Sequence, residues 1–414
     1  MRKKVAFIGI GNRGYIYAGL VKKREDAEVA AICDADENSL RIAGEMLGVP
    51  REKCFLSSEE FFAQGKLADA AVISTPDKLH FEHCMKALDA GYDILLEKPI
   101  AATEEECLKI GKKAAACGRK VVICHVLRYT PFYRTIKRII DSGSIGRVVH
   151  ISQSENVGFW HYTQSFVRGK WKNSEESNPM ILAKCCHDLD IINWLIGDTC
   201  VSVSSYGSLS YFTEENAPPQ SAEYCCDCKL QNCLYNAIKR SKEMKGTMNV
   251  PYGFDYSDVS IENYLRDKSN DYGRCVFRSG NNVVDHQSVA MNFRNGATAT
   301  LNMHTFAEET YRSTKVIGTR GEIIGRFGER NDDSITVNVI APLDEFKPEI
   351  IEVGTGETGH GGGDGGLIDS FFDYVFYGKK SADITDLDVS IASHLMGYAA
   401  EYSRLHDGAS VRIK

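Results

Sequence analysis

The spacing of apolar residues changes once along the chain and divides it into two parts. Up to about residue 127, short apolar runs alternate with segments in which apolar residues recur at helical spacing. Uninterrupted apolar runs are typical of strands buried on both faces, as in a parallel sheet covered by helices. The predicted strands are 5–10, 29–33, 68–74, 93–96 and 121–125. The pattern therefore predicts an α/β fold that begins with a doubly wound parallel sheet.

In the second part, from about residue 146, apolar residues mostly alternate with polar ones, which is the period of a half-buried strand. The predicted strands are 148–154, 201–208, 289–303 with an internal turn, 315–324 and 335–340. The turn, Asn295-Gly296, predicts a hairpin with a positive φ at both positions. Two helical segments follow, at 367–377 and 389–405. We therefore predict two domains, residues 1–127 and 128–414, the second an α+β domain with a mostly antiparallel sheet.

Composition excludes several classes of protein. The chain has 414 residues, of which 43% are hydrophobic and 25% charged, as in folded domains rather than disordered chains. A formal net charge of -7 argues against nucleic acid or an anionic membrane as a partner, since both favour a basic surface. No apolar run is long enough to cross a bilayer, and no signal peptide precedes the first predicted strand. We expect a soluble, cytoplasmic protein.

A glycine-rich turn follows the first predicted strand and opens the first predicted helix. It reads Gly9-Ile10-Gly11-Asn12-Arg13-Gly14. In this context Gly9 permits a tight turn, Gly11 lets a pyrophosphate approach the main chain, and Gly14 allows close packing of helix on strand. Asp34 ends the next strand, where a carboxylate accepts hydrogen bonds from the adenosine ribose. These features predict a Rossmann site for NAD. NADP is less favoured because Asp34 would repel a 2′-phosphate, although Arg13 leaves it open.

Two polar segments lie at the ends of the predicted strands 68–74 and 93–96, at the edge where parallel sheets bind ligands. The first is Ser74-Thr75-Pro76-Asp77 with His80, and the second is Glu97-Lys98-Pro99. Lys98 is either a solvated loop cation or a positive charge that lowers the pKa of a substrate hydroxyl group and stabilises the developing alkoxide.

Together these segments resemble the Gfo/Idh/MocA family of NAD(P)-dependent oxidoreductases, which act mainly on sugars, inositols and related polyols. The resemblance covers nearly the whole chain and rests on the glycine turn, Asp34, Thr75-Pro76, Glu97-Lys98-Pro99, His125, Arg128-Tyr129 before Pro131, and Lys184-Cys185-Cys186-His187-Asp188-Leu189-Asp190. It implies a Rossmann domain followed by a domain with an open-faced, mostly antiparallel sheet. It also implies a homo-oligomer, either a homodimer or a homotetramer.

The resemblance implies roles for individual residues. Lys98 and His187 would flank the reacting carbinol, with His187 as the proton acceptor, although by spacing alone a buried histidine bonded to a carbonyl group is the commoner case. Asp190, on the same helix face, is expected to orient the imidazole. Cofactor contacts are expected from the glycine turn with Asp34, Thr75, Pro76, His80, Glu97, Lys98, His125 and Arg128, and substrate contacts from Lys98, Tyr129, Lys184, His187, Asp190 and His360.

Some features leave the chemistry open. Many members of the family carry an aspartate four residues before the histidine, but this chain has Ala183 with Lys184 beside it, so inositol or glucose specificity is not implied. Tyr129 fits a packing role as well as a substrate contact. The glycine-rich segment 360–366 is either a flexible entry to a helix or part of the substrate pocket.

Four cysteines resemble an insertion found in a subset of the family. They are Cys225, Cys226, Cys228 and Cys233. Four thiols within this short distance are either ligands of zinc or an iron–sulfur cluster, or reduced loop thiols. Because they are not spaced as paired C-x2-C motifs, reduced thiols without a bound metal are the expectation.

The sequence therefore predicts an enzyme, an NAD-dependent dehydrogenase that oxidises a secondary hydroxyl group of a sugar, glycoside or cyclitol. A second hypothesis is an NAD-retaining glycosidase, which oxidises C3 of a glycoside transiently, eliminates the aglycone and reduces the ring again. A third is a non-catalytic NAD-binding regulator, in which the presence of both Lys98 and His187 would be unexpected.

Overall fold

The structure of the chain is a computed structural model, and it describes residues 2–230, 232–248, 250, 254–328, 333–343, 345–354, 356 and 358–413. Two β-sheets organise these residues. One has six parallel strands, and the other has nine strands that are mostly antiparallel. This arrangement confirms the predicted fold class.

The first sheet forms from the apolar runs of the first part of the chain. Its strands are β1 (Lys3–Ile8), β2 (Ala27–Cys33), β3 (Cys54–Phe55), β4 (Ala70–Ile73), β5 (Asp93–Leu96) and β6 (Val121–Ile123). They lie in the order β3-β2-β1-β4-β5-β6, and the pairings are parallel. The order changes direction between β1 and β4, which is the place where such sheets bind a dinucleotide.

The helices that connect these strands cover both faces of the sheet. They are α1 (Asn12–Lys22), α2 (Glu37–Leu47), α3 (Ser58–Ala63), α4 (His80–Asp89) and α5 (Glu104–Cys117). Asp36, Ser57 and Thr103 cap α2, α3 and α5, because each side chain accepts a backbone N–H of the first turn. No side chain caps α1 in this way. Its first-turn N–H groups are therefore left for a ligand.

The second sheet forms from the alternating segments. Its strands are β7 (Val148–Gly158), β8 (Cys200–Ser208), β9 (His286–Phe293), β10 (Thr298–Ala307), β11 (Tyr311–Gly318), β12 (Gly321–Gly328), β13 (Ser334–Val339), β14 (Glu349–Glu352) and β15 (Val411–Arg412). Their order is β14-β13-β12-β11-β7-β10-β9-β8-β15, and only β7 with β10 pairs in parallel. Burial alternates strictly along β9, so one face of the sheet packs on helices and the other is exposed.

Eight further helices belong to this second part of the described chain. They are α6 (Pro131–Asp141), α7 (Phe159–Tyr162), α8 (Met180–Ala183), α9 (Cys186–Ile196), α10 (Ala237–Glu243), α11 (Asp258–Arg266), α12 (Gly363–Tyr377) and α13 (Leu387–Leu405). All but one of the residues of α9 are buried, because the helix packs between the sheet and α13. This position fixes the side chains of α9 at the junction of the two sheets.

Two local predictions in the second sheet are wrong. The segment 315–324 is not one strand but the end of β11 and the start of β12, because the exposed residues Thr319 and Arg320 form a tight turn and the two strands pair antiparallel. In the β9–β10 hairpin Gly296 has a φ of +83°, but Asn295 does not have a positive φ. Instead, the Asn295 side chain accepts the backbone N–H of Ala297 at 2.9 Å, which stabilises a longer loop.

The last two helices reach back to the first sheet. Leu367 and Phe371 of α12 belong to the same apolar core as Val5 and Phe7 of β1. Ahead of α13, the backbone N–H of Ile123 in β6 donates to the carbonyl oxygen of Thr385 at 2.8 Å.

The division of the chain into two domains between residues 127 and 128 stays a prediction. None of the helices in the described residues combines the length and apolar character needed to cross a membrane.

Candidate active site

The glycine turn has the close contacts that its residue types require. Gly9 has a φ of +87°, and an added Cβ would lie 2.6 Å from the carbonyl oxygen of Ser74. A Cβ at Gly14 would lie 2.1 Å from the carbonyl oxygen of Gly9. At Gly11, in contrast, a Cβ would meet nothing within 4 Å. Gly9 and Gly14 are therefore needed for the packing of the chain itself, while the space at Gly11 is open.

Asp34 lies directly beside this turn. Its carboxylate accepts the backbone N–H of Ile10 at 2.8 Å and that of Asp36 at 2.9 Å. These two bonds fix the carboxylate at the end of β2, next to the N-terminus of α1. The arrangement matches the one expected for a carboxylate that binds an adenosine ribose.

Arg13, a predicted cofactor residue, is instead held by other side chains. Its guanidinium donates to Asp364 at 2.6 Å and 3.2 Å and to Glu97 at 3.1 Å. It also contacts the Tyr17 hydroxyl at 2.5 Å and the His360 ring at 3.5 Å. Burial alone would raise the pKa of the Asp364 carboxyl, but His360 and Arg13 hold that pKa below its usual value. Arg13 thus links α1 to the segment after β5, through Glu97, and to the first turn of α12, through Asp364.

His80 also serves the fold rather than an open site. One ring nitrogen lies 2.9 Å from the carbonyl oxygen of Thr75, and the other lies 2.7 Å from that of Pro99. The Thr75 hydroxyl contacts the ring of His83 at 3.1 Å, and Pro76 is exposed at the start of the next turn. His80 therefore holds together the two loops at the carboxyl ends of β4 and β5.

Lys98 and His187 approach each other across the junction of the two sheets. The Lys98 ammonium donates to the carbonyl oxygen of Ala183 at 2.8 Å, at the end of α8 and four residues before His187. His187 is 8% exposed, and its Nδ1 has no hydrogen-bond partner among the described residues. Burial lowers the pKa of His187 well below its usual value, and the positive charges of Lys98 and Arg312 add to this effect. The imidazole is therefore neutral at neutral pH.

Two further buried histidines lie behind His187. His125 meets it edge to face at 5.7 Å between ring centroids, and both nitrogens of His125 lack a partner among the described residues. His394, which the sequence analysis missed, lies 5.3 Å from His125. The backbone N–H of Ile100 donates to Nε2 of His394 at 3.0 Å. The imidazole proton of His394 is therefore assigned to Nδ1, which lies 2.8 Å from the carbonyl oxygen of Ser390. Burial lowers the pKa of His394 to about 3.

Arg128 and Asp190 form a buried ion pair with each other. Two guanidinium nitrogens of Arg128 each lie 2.6 Å from a different oxygen of Asp190. Asp190 is on the same helix as His187, but Arg128, from the turn after β6, takes both of its oxygens. Asp190 is thus paired with Arg128 and not with the His187 imidazole, and the cofactor contact of Arg128 stays a prediction.

This pair should dominate the stability of the junction. We expect Arg128→Met to lower the free energy of unfolding by about 3–5 kcal/mol, because it leaves the Asp190 carboxylate buried without a counter-charge. The double variant Arg128→Met with Asp190→Leu should recover most of the loss. Urea titrations of wild type, both single variants and the double variant measure the coupling. Additive effects of the two substitutions would contradict the pairing.

Tyr129 and His360 also differ from a simple substrate-contact role. The Tyr129 hydroxyl lies 2.8 Å from that of Thr385 and accepts the Thr385 backbone N–H at 3.0 Å, fully inside the protein. It packs in the core, the alternative that the sequence had left open. His360 has a φ of +53° and pairs with Asp364 at 3.1 Å, so it stays near Arg13 with much of its ring exposed.

Lys184 belongs to a second cluster, whose other members the sequence analysis missed in part. Its ammonium lies 3.4 Å from the Glu155 carboxylate and 3.4 Å from the His161 ring. Arg312 contacts the other oxygen of Glu155 at 2.6 Å and donates to Asp188 at 2.9 Å. Burial raises the pKa of Glu155. His161 is exposed at the edge of this cluster, next to the positive charge of Lys184. This cluster adds acid–base groups next to Lys98 and His187.

The predicted cysteine group is partly buried. Cys225 is buried, while Cys226, Cys228 and Cys233 are half-buried. In the part of the chain that the structure describes, no group of three or more His, Cys, Asp or Glu side chains is arranged to hold a metal ion.

The residues at the first sheet fit a dinucleotide. Gly11 leaves open space in front of the uncapped N-terminus of α1, which suits a pyrophosphate. Asp34 is fixed where a ribose would lie. The buried nitrogens of His125 lack partners, so a polar group bound nearby would satisfy them. The N-terminus of α1 would therefore hold the pyrophosphate of the cofactor, and Asp34 would hold its adenosine ribose.

Comparison with known proteins agrees with this geometry. A model of an oxidoreductase family with an NAD-binding Rossmann fold, GFO_IDH_MocA, matches residues 3–125, and the model of the family's C-terminal alpha/beta domain matches residues 137–379. YteT of Bacillus subtilis (strain 168) is 25% identical over 391 residues, which are 89% of this chain and 88% of YteT.

Two further proteins are similar to the chain. A 2,7-anhydro-N-acetylneuraminate hydratase of Escherichia coli (strain K12) is 26% identical over 201 residues, which are 48% of this chain and 51% of the hydratase. Levoglucosan dehydrogenase, solved in complex with NADH and levoglucosan, has a TM-score of 0.72 and 17% identity over 100% of both chains, a likeness of fold. The two family models match most of the chain, which therefore belongs to the GFO_IDH_MocA oxidoreductase family, as its motifs indicated.

Proposed function

We propose that this chain is an NAD-dependent dehydrogenase that oxidises a secondary hydroxyl group of a sugar, glycoside or cyclitol. The observation that carries the proposal is the approach of Lys98, from the first sheet, to the helix segment that bears a buried, neutral His187. A cation beside a neutral base is the combination that the oxidation of an alcohol requires. The levoglucosan dehydrogenase that shares the fold is named for a sugar derivative and was solved with it bound, which supports the substrate class.

The two residues suit complementary parts of the reaction. His187 is able to accept the hydroxyl proton, because its lowered pKa keeps the imidazole unprotonated at neutral pH. The Lys98 ammonium stabilises the negative charge that develops on the oxygen as this proton leaves. When bound, NAD supplies the acceptor for the hydride from the carbinol carbon. The chain itself therefore has to bind, orient and deprotonate the substrate.

We favour NAD over NADP on two grounds. The Asp34 carboxylate is fixed at the end of β2 by two backbone N–H groups, so it would meet a 2′-phosphate at close range. Arg13, the cation that left NADP open, is engaged by Glu97 and Asp364. Measured affinities for the two cofactors test this preference, and tighter binding of NADP would overturn it.

The open space at Gly11 allows a direct test of the cofactor site. We expect Gly11→Val to weaken NAD binding at least about 10-fold, because the added side chain fills space that the pyrophosphate needs and touches nothing in the protein. Gly19→Ala is the matched control, since a Cβ there also meets nothing within 4 Å but lies farther along α1. Isothermal titration with NAD measures both variants. Wild-type affinity in Gly11→Val would contradict the site.

The function itself is tested with a panel of pyranosides, aminosugars, uronic acids and inositols. NAD is added with each compound, NADH is followed by its absorbance, and free sugar and aglycone are assayed in the same wells. Sustained NADH formation with one compound would support the dehydrogenase and identify the substrate class. If no compound gives NADH or bond cleavage, the non-catalytic regulator is favoured.

A second candidate is the glycosidase that retains its NAD. The observation that favours it is the second acid–base group, in which His161 and Lys184 lie next to Glu155 beyond Lys98 and His187. Elimination needs a base for the carbon next to the oxidised one, and the exposed imidazole of His161, 3.4 Å from the Lys184 ammonium, is a group of that kind. The related hydratase is named for the addition of water and not for an oxidation. Release of free sugar without lasting NADH would select this candidate.

We also propose that the chain forms homodimers or homotetramers. One face of the nine-stranded sheet is exposed in the single chain, as the alternating burial along β9 illustrates. A second copy is the partner proposed for this face, and light scattering of the purified protein tests it. A monomer at micromolar concentration would overturn this part of the proposal.

A further inference from the structure

Four thiols from two distant segments line one cavity outside the candidate active site. They are Cys225, Cys228, Cys233 and Cys275. An antiparallel bridge between Tyr224 and Arg274 joins the segments. Around it, the backbone N–H of Cys225 donates to Gly273 and that of Cys275 donates to Glu223, both at 2.8 Å. The sequence separates Cys275 from the other three by more than 40 residues, but the fold brings it beside them.

Cys226 does not belong to this group. It is absent from the lining of the cavity and instead bonds the Asp227 carboxylate, near the cationic side chains of Arg266 and Lys268. The structure thus replaces one member of the set that the sequence suggested. The revised order is Cys225-x2-Cys228-x4-Cys233 with Cys275 as the fourth thiol.

One of these sulfur atoms is already hydrogen-bonded by the main chain. The N–H of Ala237 donates to Cys225 Sγ at 3.4 Å. Hydrogen bonds of this kind also support cysteine ligands of metal ions.

Arg168 supplies an independent observation. Its side chain is 1% exposed and lines the same cavity. It donates to the carbonyl oxygens of Arg274 at 2.7 Å and Tyr235 at 2.6 Å, and it lies 3.9 Å from Cys225 Sγ. One terminal nitrogen has no partner among the described residues, and no carboxylate there forms an ion pair with this guanidinium. A buried cation needs an anion, and the described residues that line this cavity include four thiols and no carboxylate.

We propose that Cys225, Cys228, Cys233 and Cys275 bind one Zn²⁺ ion as a structural site with four thiolate ligands. Each thiol releases a proton when the ion binds, and the four thiolates exceed the charge of Zn²⁺. The negative charge that remains compensates the buried guanidinium of Arg168. Zinc accepts this ligand set and needs no redox partner.

The thiols have to close on the ion, since no described group is already arranged to hold a metal. Cys225, Cys228 and Cys233 each lie outside the helices and strands. The bound ion would fix Tyr235, whose ring lies 6.1 Å from that of Phe159, the first residue of α7. Because α7 also bears His161, the site would support one side of the candidate active site.

The test measures metal content in protein purified under reducing conditions. We expect about one zinc per chain in wild type by elemental analysis, and loss of zinc in Cys233→Ser and Cys275→Ser. Cys226→Ser is the matched control and should keep its zinc. Replacement of zinc by Co²⁺ should give the visible absorption bands of a tetrahedral cobalt thiolate in wild type and in Cys226→Ser, but not in the other two variants.

Several outcomes would overturn the proposal. Wild-type protein that holds no zinc, and takes up neither Zn²⁺ nor Co²⁺ under reducing conditions, excludes the site. Bound iron with broad visible absorption would identify an iron–sulfur cluster and exclude zinc. Equal loss of metal in Cys226→Ser would exclude this ligand set. If Cys275→Ser fails to fold, two other measurements test the site. They are the zinc content of Cys228→Ser and the thermal melt of wild type after a chelator has removed its metal, and an unchanged zinc content with an unchanged melting temperature would overturn the proposal.

Discussion

Replacing Lys98 by methionine is expected to lower kcat for alcohol oxidation by about 10²- to 10³-fold, the usual loss when one group that stabilises a developing oxyanion is removed. Methionine is close to lysine in length but has no charge, so the variant loses the ammonium group that donates to Ala183. NAD affinity should stay close to wild type, because the glycine turn and Asp34 are unchanged. Steady-state kinetics and titration with NAD measure the two quantities.

The control for this variant is Lys112→Met, which removes an exposed lysine of α5. It should turn over like wild type. Turnover of Lys98→Met near the wild-type rate would remove Lys98 from the mechanism. A parallel loss of NAD affinity would instead assign the residue to cofactor binding, which is a different role for the same position.

Replacing His187 by glutamine is expected to lower kcat by about 10²- to 10⁴-fold, the range that a positioned proton acceptor contributes. Glutamine keeps a polar side chain but is not a base at neutral pH. His83→Gln is the matched control, since His83 is also a buried histidine but lies in α4, away from α9. Wild-type turnover of His187→Gln would assign the proton transfer to another group, with His161 as the next candidate.

The pH dependence of kcat/KM should identify the same residue. A protonated imidazole cannot accept a proton, so activity falls as the pH falls through the pKa of His187. Since burial lowers that pKa well below 6.5, and nearby Lys98 lowers it further, wild-type activity should persist at pH 6.5 and fall only in more acidic solution. In Lys98→Met the acid limb should move to higher pH. An acid limb at or above 6.5 in wild type would contradict the assignment.

Several parts of the site could be predicted because their requirements are local. A Cβ at Gly14 would clash with the carbonyl oxygen of Gly9 within the same turn, and the motif is visible in a few consecutive letters, although the main chain that Gly9 approaches belongs to the distant Ser74. The carboxylate of Asp34 and the step Glu97-Lys98 each follow a buried strand directly. Parallel strands place their carboxyl ends at one edge, so the order of motifs along the chain already predicts that these residues meet.

The side-chain partners that the sequence did not predict have a common physical origin. Asp190 was expected to orient His187 because both lie on one helix face, but a buried carboxylate binds the strongest donor available, and Arg128 enters from another element. His80 was expected at the cofactor, yet its two nitrogens bond the main chain of two loops. Arg13 was left open for a phosphate, but Asp364 from the far end of the chain pairs with it.

The sequence by itself determined the two kinds of sheet, the glycine turn with its carboxylate, and the identity of Lys98 and His187 as candidates. The sheets follow from hydrophobic period and the glycine turn from a short motif after a strand, whereas Lys98 and His187 are candidates because of the resemblance to the family. Only the tertiary structure decided which charged groups pair, that Glu155 and Arg312 lie beside Lys184, and that Cys275 rather than Cys226 joins the other thiols. Those partners are set by long-range packing, and the cost of burying an unpaired charge selects them only after the chain has folded.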